Sequence, residues 1–211
     1  MDNISQWSCE KFVNETSSKA PVPGGGGVAA LVGSVGTALA GMVCSLTTNK
    51  NEYKEYEEDF KRILSDSKVL QENLLSLINR DAENFLPLAQ CYKMKADTAE
   101  EIAKKEEAMQ TCLKTAISAP AEIIKITYKA IKLQEELRTK APALTISDVG
   151  CGAVCLKAAL QSGWLNILIN LKLIKDEEYI KSIKGELLPL VEEGSNLADK
   201  IYENINSQLN S

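Results

Sequence analysis

No histidine occurs among the 211 residues, so the side chain that ordinarily moves protons at neutral pH is missing. Acid or base work therefore falls to Asp, Glu, Lys, Cys, Tyr or water. The same absence, with cysteines that form no CxxC pair, argues against a zinc site, although Cys151 and Cys155 stand one helical turn apart. Aromatic residues make up only 5%, while Ala, Leu, Lys, Glu and Ile are plentiful, a bias toward helix over sheet. No basic block stands alone and the formal net charge is -5, which speaks against a general nucleic-acid binder. Strand-period runs, repeats and low-complexity linkers are all missing. Met1–Ser8 is polar and mixed, without the apolar run of a signal peptide. The six cysteines are accordingly expected as reduced thiols in a cytoplasmic protein and not as a disulfide framework.

What the chain does contain is 45% hydrophobic and 25% charged residues, enough for one globular domain spanning 1–211. Its most distinctive stretch is KAPVPGGGGVAALVGSVGTALAGMVCSLTT, where Gly24, Gly25, Gly26 and Gly27 open into the uncharged run Val28–Leu46. This reads as a loop delivered onto the N-terminus of a buried helix, where unpaired N–H groups and the helix dipole favour an anionic or carbonyl-bearing ligand. Ala29, Gly33, Thr37, Gly41 and Ser45 recur every fourth residue, so one face carries almost no bulk and another helix can approach closely. The run is near the length of a membrane span, but its small and hydroxylated residues and the lack of an aromatic belt favour a core helix.

Helical periodicity marks further segments at Ile4–Asn14, Glu52–Tyr92, Thr98 to Pro120 and Ala121–Leu137. Pro87 is expected to kink or end its helix, and Pro120 to break or kink the next one. Thr98 and Glu101 have the spacing of a capping box. Ser147 or Asp148 is expected to cap SDVGCGAVCLKAALQSGWLNILINL, a second helix rich in glycine and alanine, and Asp176 to start a last helix reaching about Leu209. Within that second helix Asn166 and Asn170 sit among leucines and isoleucines, so burial and hydrogen bonding are expected for both amides. The sum is an all-α bundle of long helices around a small-residue-rich central one.

Three groups rise above core patterning: the glycine loop, NRDAENF around Asp81, and SDVGCGA with the two downstream asparagines. Asp81 alone reads as a solvated or a deliberately placed carboxylate, and Asp148 alone as an N-cap. If both face one cleft they suit a cationic substrate. PVPGGGGVAALVGSVGTALAGMV, DAENF with KMKADTAEEIAKKEEAMQ, and SDVGCGAVCLKAALQSGWLNILINL follow one another in the order of the cyclodeaminase and methenyltetrahydrofolate cyclohydrolase family, which the chain resembles over nearly its whole length. Members often carry GGGS at Gly24–Gly27 and a proline after Met94, departures that leave the three motifs in order.

The resemblance implies an all-α homodimer that binds a tetrahydrofolate one-carbon derivative in a cleft between helices, with no metal and no cofactor beyond the folate substrate, and neither nucleic acid nor membrane as partner. It implies hydrolysis of 5,10-methenyltetrahydrofolate to 10-formyltetrahydrofolate. The alternatives are closure of formiminotetrahydrofolate with loss of ammonia, or a non-catalytic helical dimerisation module. On this reading Asp81 or Asp148 supplies the acid/base group. Lys93 or Lys95 meets a carboxylate of the tail or assists proton transfer, Gly24 to Gly27 shape the binding wall, Ser147 joins in substrate binding, and Asn166 and Asn170 orient the pterin or the water.

Overall fold

The computed structural model describes residues 3–211. Among them lie six α-helices, two short 3-10 helices at Ile4–Gln6 and Asn51–Tyr56, and no strand, as the composition predicts. The α-helices are α1 (Cys9–Thr16), α2 (Gly25–Thr47), α3 (Glu57–Tyr92), α4 (Ala99–Arg138), α5 (Ile146–Leu171) and α6 (Glu177–Leu209). Local chemistry sets several starts. Ser8 accepts from the Lys11 N–H to open α1, and Asp176 accepts from the Tyr179 N–H to open α6. Thr98 and Glu101 form the expected capping box at α4.

Other expectations need correction. Helix α2 begins at Gly25, not Val28, so three of the four glycines form its first turn and Gly24 its cap. Neither proline ends its helix: Pro87 lies inside α3 and Pro120 inside an unbroken α4 of 40 residues. Long apolar faces on both sides of each proline hold the helix across the lost hydrogen bond. The N-cap of α5 is Thr145, leaving Ser147 and Asp148 within the first turn.

Small residues decide how the helices assemble. Helix α2 packs against α3, α4 and α5, whereas α6 packs chiefly on α4 and α5. A Cβ built on Gly33 would touch Ala159, Thr127 and Leu74, so three helices meet at one bare α-carbon of α2. The registers run antiparallel for α2 with α5, since Gly25 faces Asn166 and Gly36 faces Cys155. They are antiparallel also for α3 with α4, where Asn84 Nδ2 donates to Ser118 Oγ at 2.9 Å and the Cys91 and Cys112 sulfurs lie 3.6 Å apart. Buried Gln134 reaches from α4 and donates from Nε2 to the Gly36 carbonyl of α2 at 3.0 Å. It passes over Gly152 of α5, tying three helices with one side chain. At the N-terminus the backbone N–H of Ile4 donates to Asn79 Oδ1 at 2.7 Å, while Ile4 and Phe12 join a core cluster with Leu77 and Ile78. The leading segment is thereby anchored on α3 just before Asp81.

A Cβ on Gly152 would fall 2.1 Å from Gln134 Nε2 and 3.0 Å from the Gly36 carbonyl oxygen. Gly152→Ala is therefore expected to cost about 2–4 kcal/mol in urea denaturation, from overpacking and the displaced buried hydrogen bond. Gly185 on α6 has open space around it, and Gly185→Ala is expected to stabilise by about 0.5–1 kcal/mol through helix propensity.

Candidate active site

The antiparallel registers bring the N-terminus of α2, the last third of α3, the middle of α4 and the end of α5 together. Between them opens a cleft of about 320 Å³ lined by Pro21, Val22 and Gly24 to Gly26, by Asp81, Phe85 and Tyr92 of α3, by Ala116 and Pro120 of α4, and by Asn166, Ile169 and Asn170 of α5. Most of this wall is apolar, so the few polar groups in it stand out.

Asp81 is the strongest of them. Its carboxyl group lies against the bare α-carbon of Gly26: an added Cβ there would be 2.1 Å from Oδ1 and 2.6 Å from Oδ2. Gly24 has no side chain with which to cap α2, and the carboxylate of Asp81 takes up that task from the neighbouring helix by accepting from the Gly27 N–H. Burial among apolar neighbours pushes its pKa up from 3.8 to about 6, against the pull of the Gly27 hydrogen bond in the other direction. The side chain is thus neither a solvated surface group nor an ordinary low-pKa carboxylate. It is ionised at neutral pH yet close enough to titration to take and return a proton.

Asn166 and Asn170 stand one turn apart on the opposite wall and are partly buried. Each donates from Nδ2 to the carbonyl four residues earlier, Ser162 and Asn166 respectively, both at 2.8 Å. The expected hydrogen bonding is thus satisfied within α5, not between helices, and neither Oδ1 accepts a hydrogen bond among the described residues. Gly25 fits closely under Asn166, where a Cβ would meet the amide at 2.9 Å.

Other expected site residues lie elsewhere. Asp148 and Ser147 occupy the first turn of α5, 18 residues before Asn166 and therefore roughly 27 Å away along the axis. Ser147 borders a separate groove formed with the end of α6 by Cys151, Val154 and Tyr202. The two aspartates consequently do not share this cleft. Gly27 packs against Pro23. Lys93 and Lys95 are exposed in the turn after α3, beside the cleft residue Tyr92. Lys105 holds that turn by donating to the Tyr92 and Met94 carbonyls. Sequence reasoning missed Phe85, Tyr92, Ala116, Pro120 and Ile169. Phe85 was within reach, because it follows Asp81 by four residues on the same face of α3. No group of three His, Cys, Asp or Glu side chains able to hold a metal occurs among the described residues, and the six cysteines are free thiols.

Comparison with known proteins gives a consistent picture. A family model described as formiminotransferase-cyclodeaminase matches residues 8–188. A methenyltetrahydrofolate cyclohydrolase from Methylorubrum extorquens is 36% identical over 95% of this chain and 97% of its own length. The formimidoyltransferase-cyclodeaminase of Rattus norvegicus is 27% identical over 90% of this chain, which spans only 35% of that larger protein. The crystal structure of a formiminotetrahydrofolate cyclodeaminase from Thermotoga maritima superposes with a TM-score of 0.80 at 28% identity, covering 98% of both chains.

The raised pKa of Asp81 has a stability consequence. Folding favours its protonated form, so this contribution is full below pH 3.8 and is lost as pH rises through about 6. Its size is of order 3 kcal/mol. Asp81→Asn keeps the acceptor for Gly27 and removes the titration, so it should become more stable relative to the wild type as pH rises across that window, measured by urea denaturation at a series of pH values.

Proposed function

The chain belongs to the formiminotransferase-cyclodeaminase family, and from that premise we propose that it is a methenyltetrahydrofolate cyclohydrolase. The observation that carries the reading is the Asp81 carboxyl group, titrating near neutrality on the wall of an otherwise apolar cleft. The bridging amidinium of 5,10-methenyltetrahydrofolate is a cation, and an apolar cleft with one carboxylate attracts it more strongly than water would. The carboxylate draws a proton from water as the water oxygen bonds to the methenyl carbon. The protonated Asp81 then returns that proton to N5 as the carbon–N5 bond breaks, while the hydroxyl on the same carbon gives up its proton to solvent and becomes the carbonyl of the formyl group on N10. Cation and water yield the neutral formyl product and one released proton. Asn166 and Asn170 offer Oδ1 acceptors that orient the water or the pterin ring, and Phe85 and Tyr92 give the ring apolar surface. Lys93 and Lys95 stand where an anionic tail leaving the cleft would pass. The chemistry calls for folate and water alone.

Deamination of formiminotetrahydrofolate is the second reading, favoured by the structural likeness to the Thermotoga maritima protein. The same carboxyl would serve it. Higher identity over the whole length of the Methylorubrum extorquens relative supports the hydrolytic reading. A non-catalytic module would have no use for a buried, titrating carboxyl that faces an open cleft.

The second proposed partner is another copy of the chain. By length and composition α2 and α5 are each apolar enough to cross a membrane, but much of α2 is consumed by packing against three other helices. What remains outside is a shared stripe: Val35, Met42 and Leu46 of α2 beside Val154, Leu165 and Ile169 of α5, with Leu165 at 66% and Ile169 at 60% exposure. Ile169 also lines the cleft. A homodimer closing over this stripe would bury it and shield the cleft mouth. Cys91 and Cys112, unbonded at 3.6 Å, suit a reducing cytoplasm.

Purified protein is expected to consume the methenyl chromophore, and Asp81→Asn to lower kcat/KM by at least about 100-fold. Asp148→Asn is expected to remain within about twofold of wild type; equal activity of all three proteins would contradict the assignment. Leu165→Glu, placed in the stripe, is expected to shift the protein from dimer to monomer in light scattering.

A further inference from the structure

Three prolines lie inside long helices, at Pro87, Pro120 and Pro189. Each lacks the N–H that would bond the carbonyl four residues earlier, and its ring tilts that carbonyl away from the helix axis. For Pro87 and Pro189 the released carbonyls belong to Glu83 and Gly185, and both residues of each pair are exposed, so water satisfies them. Pro120 differs. It is buried, its partner Ala116 is 5% exposed, and both line the cleft. A helical carbonyl lies on the strip between its own residue and the one four positions on. With both ends of that strip on the cleft wall, the released oxygen of Ala116 faces the cleft too. No side chain donates to it among the described residues.

Resting on the folate reading above, the geometry points to the Ala116 carbonyl as the acceptor that binds the exocyclic amino group of the pterin, with Pro120 as the positioning residue that keeps it available. Facing pairs Asn84–Ser118 and Cys91–Cys112 put Ala116 opposite residues 86 and 87 of α3. That is roughly 8 Å along the axis from Asp81, a span that a fused two-ring head can bridge. The amino group stands at the end of the pterin remote from N5 and the methenyl carbon. An acceptor at Ala116 and a base at Asp81 therefore hold opposite ends of one ring system, and fix which end of the head meets the carboxylate. Hydrogen bonding to a buried carbonyl also selects a head with a donor there, since a ligand lacking it leaves the oxygen unpaired.

The test is a two-by-two comparison by calorimetry, with 5-formyltetrahydrofolate and its 2-deamino analogue as probes, binding to wild type and to Pro120→Val. Valine keeps apolar bulk and restores the N–H, returning the carbonyl to the helix. Wild type is expected to prefer the amino-bearing ligand by about tenfold. In Pro120→Val that ligand should bind about tenfold more weakly and the preference should shrink to less than threefold, with helicity retained and Tm equal or higher. Pro120→Ala should lose the preference in the same way. A preference that is undiminished in both variants overturns the inference and leaves the folate reading standing. Failure of wild type to bind either ligand overturns that reading and the inference with it.

Discussion

Everything at the functional end of this molecule depends on the bare α-carbons in the first turn of α2. Gly26 leaves room for the Asp81 carboxyl group and Gly25 for the Asn166 amide, at separations that any side chain would close. The same economy of bulk continues down the helix, where Gly33 and Gly36 admit α3, α4 and α5 to one shared seam. Packing and chemistry therefore share one cause. A helix thin enough to be surrounded is also thin enough at its tip for a neighbouring carboxylate to become its cap.

That cap explains how a chain without histidine obtains a group that titrates near neutrality. Desolvation raises the Asp81 pKa, while the Gly27 N–H and the positive end of α2 stabilise the anion and keep the rise moderate. Desolvation outweighs the hydrogen bond, leaving the group at about 6. A more exposed carboxylate would be too weak a base, and a more deeply buried one would stay protonated at neutral pH.

Much of the fold was legible in the sequence, because helix period, capping residues and a run of small side chains are local signals. Thr98 with Glu101 and Asp176 behaved as their spacing predicted. The limits appear where a position along one helix must be compared with a position on another. Asp148 and Asn166 share α5 and similar surroundings in sequence, yet lie at opposite ends of a 26-residue rod, and only one end reaches the cleft. The expectation that a proline could end its helix failed for a related reason. Proline's local preference is to interrupt a helix, but tertiary packing on both sides of Pro87 and Pro120 outweighs one missing hydrogen bond. Asp81 was visible through its motif. Its proximity to Gly26 was not, since 55 residues separate them and no periodicity links α2 to α3.

In the proposed mechanism one carboxyl group acts in its ionised form. The most direct measurement is the pH dependence of kcat/KM for methenyltetrahydrofolate hydrolysis by the wild-type protein, corrected for the uncatalysed reaction. A group with a pKa of about 6 predicts activity that falls tenfold per pH unit on the acid side of that value and levels above it. A profile that stays flat down to pH 5 would contradict the central role given to Asp81.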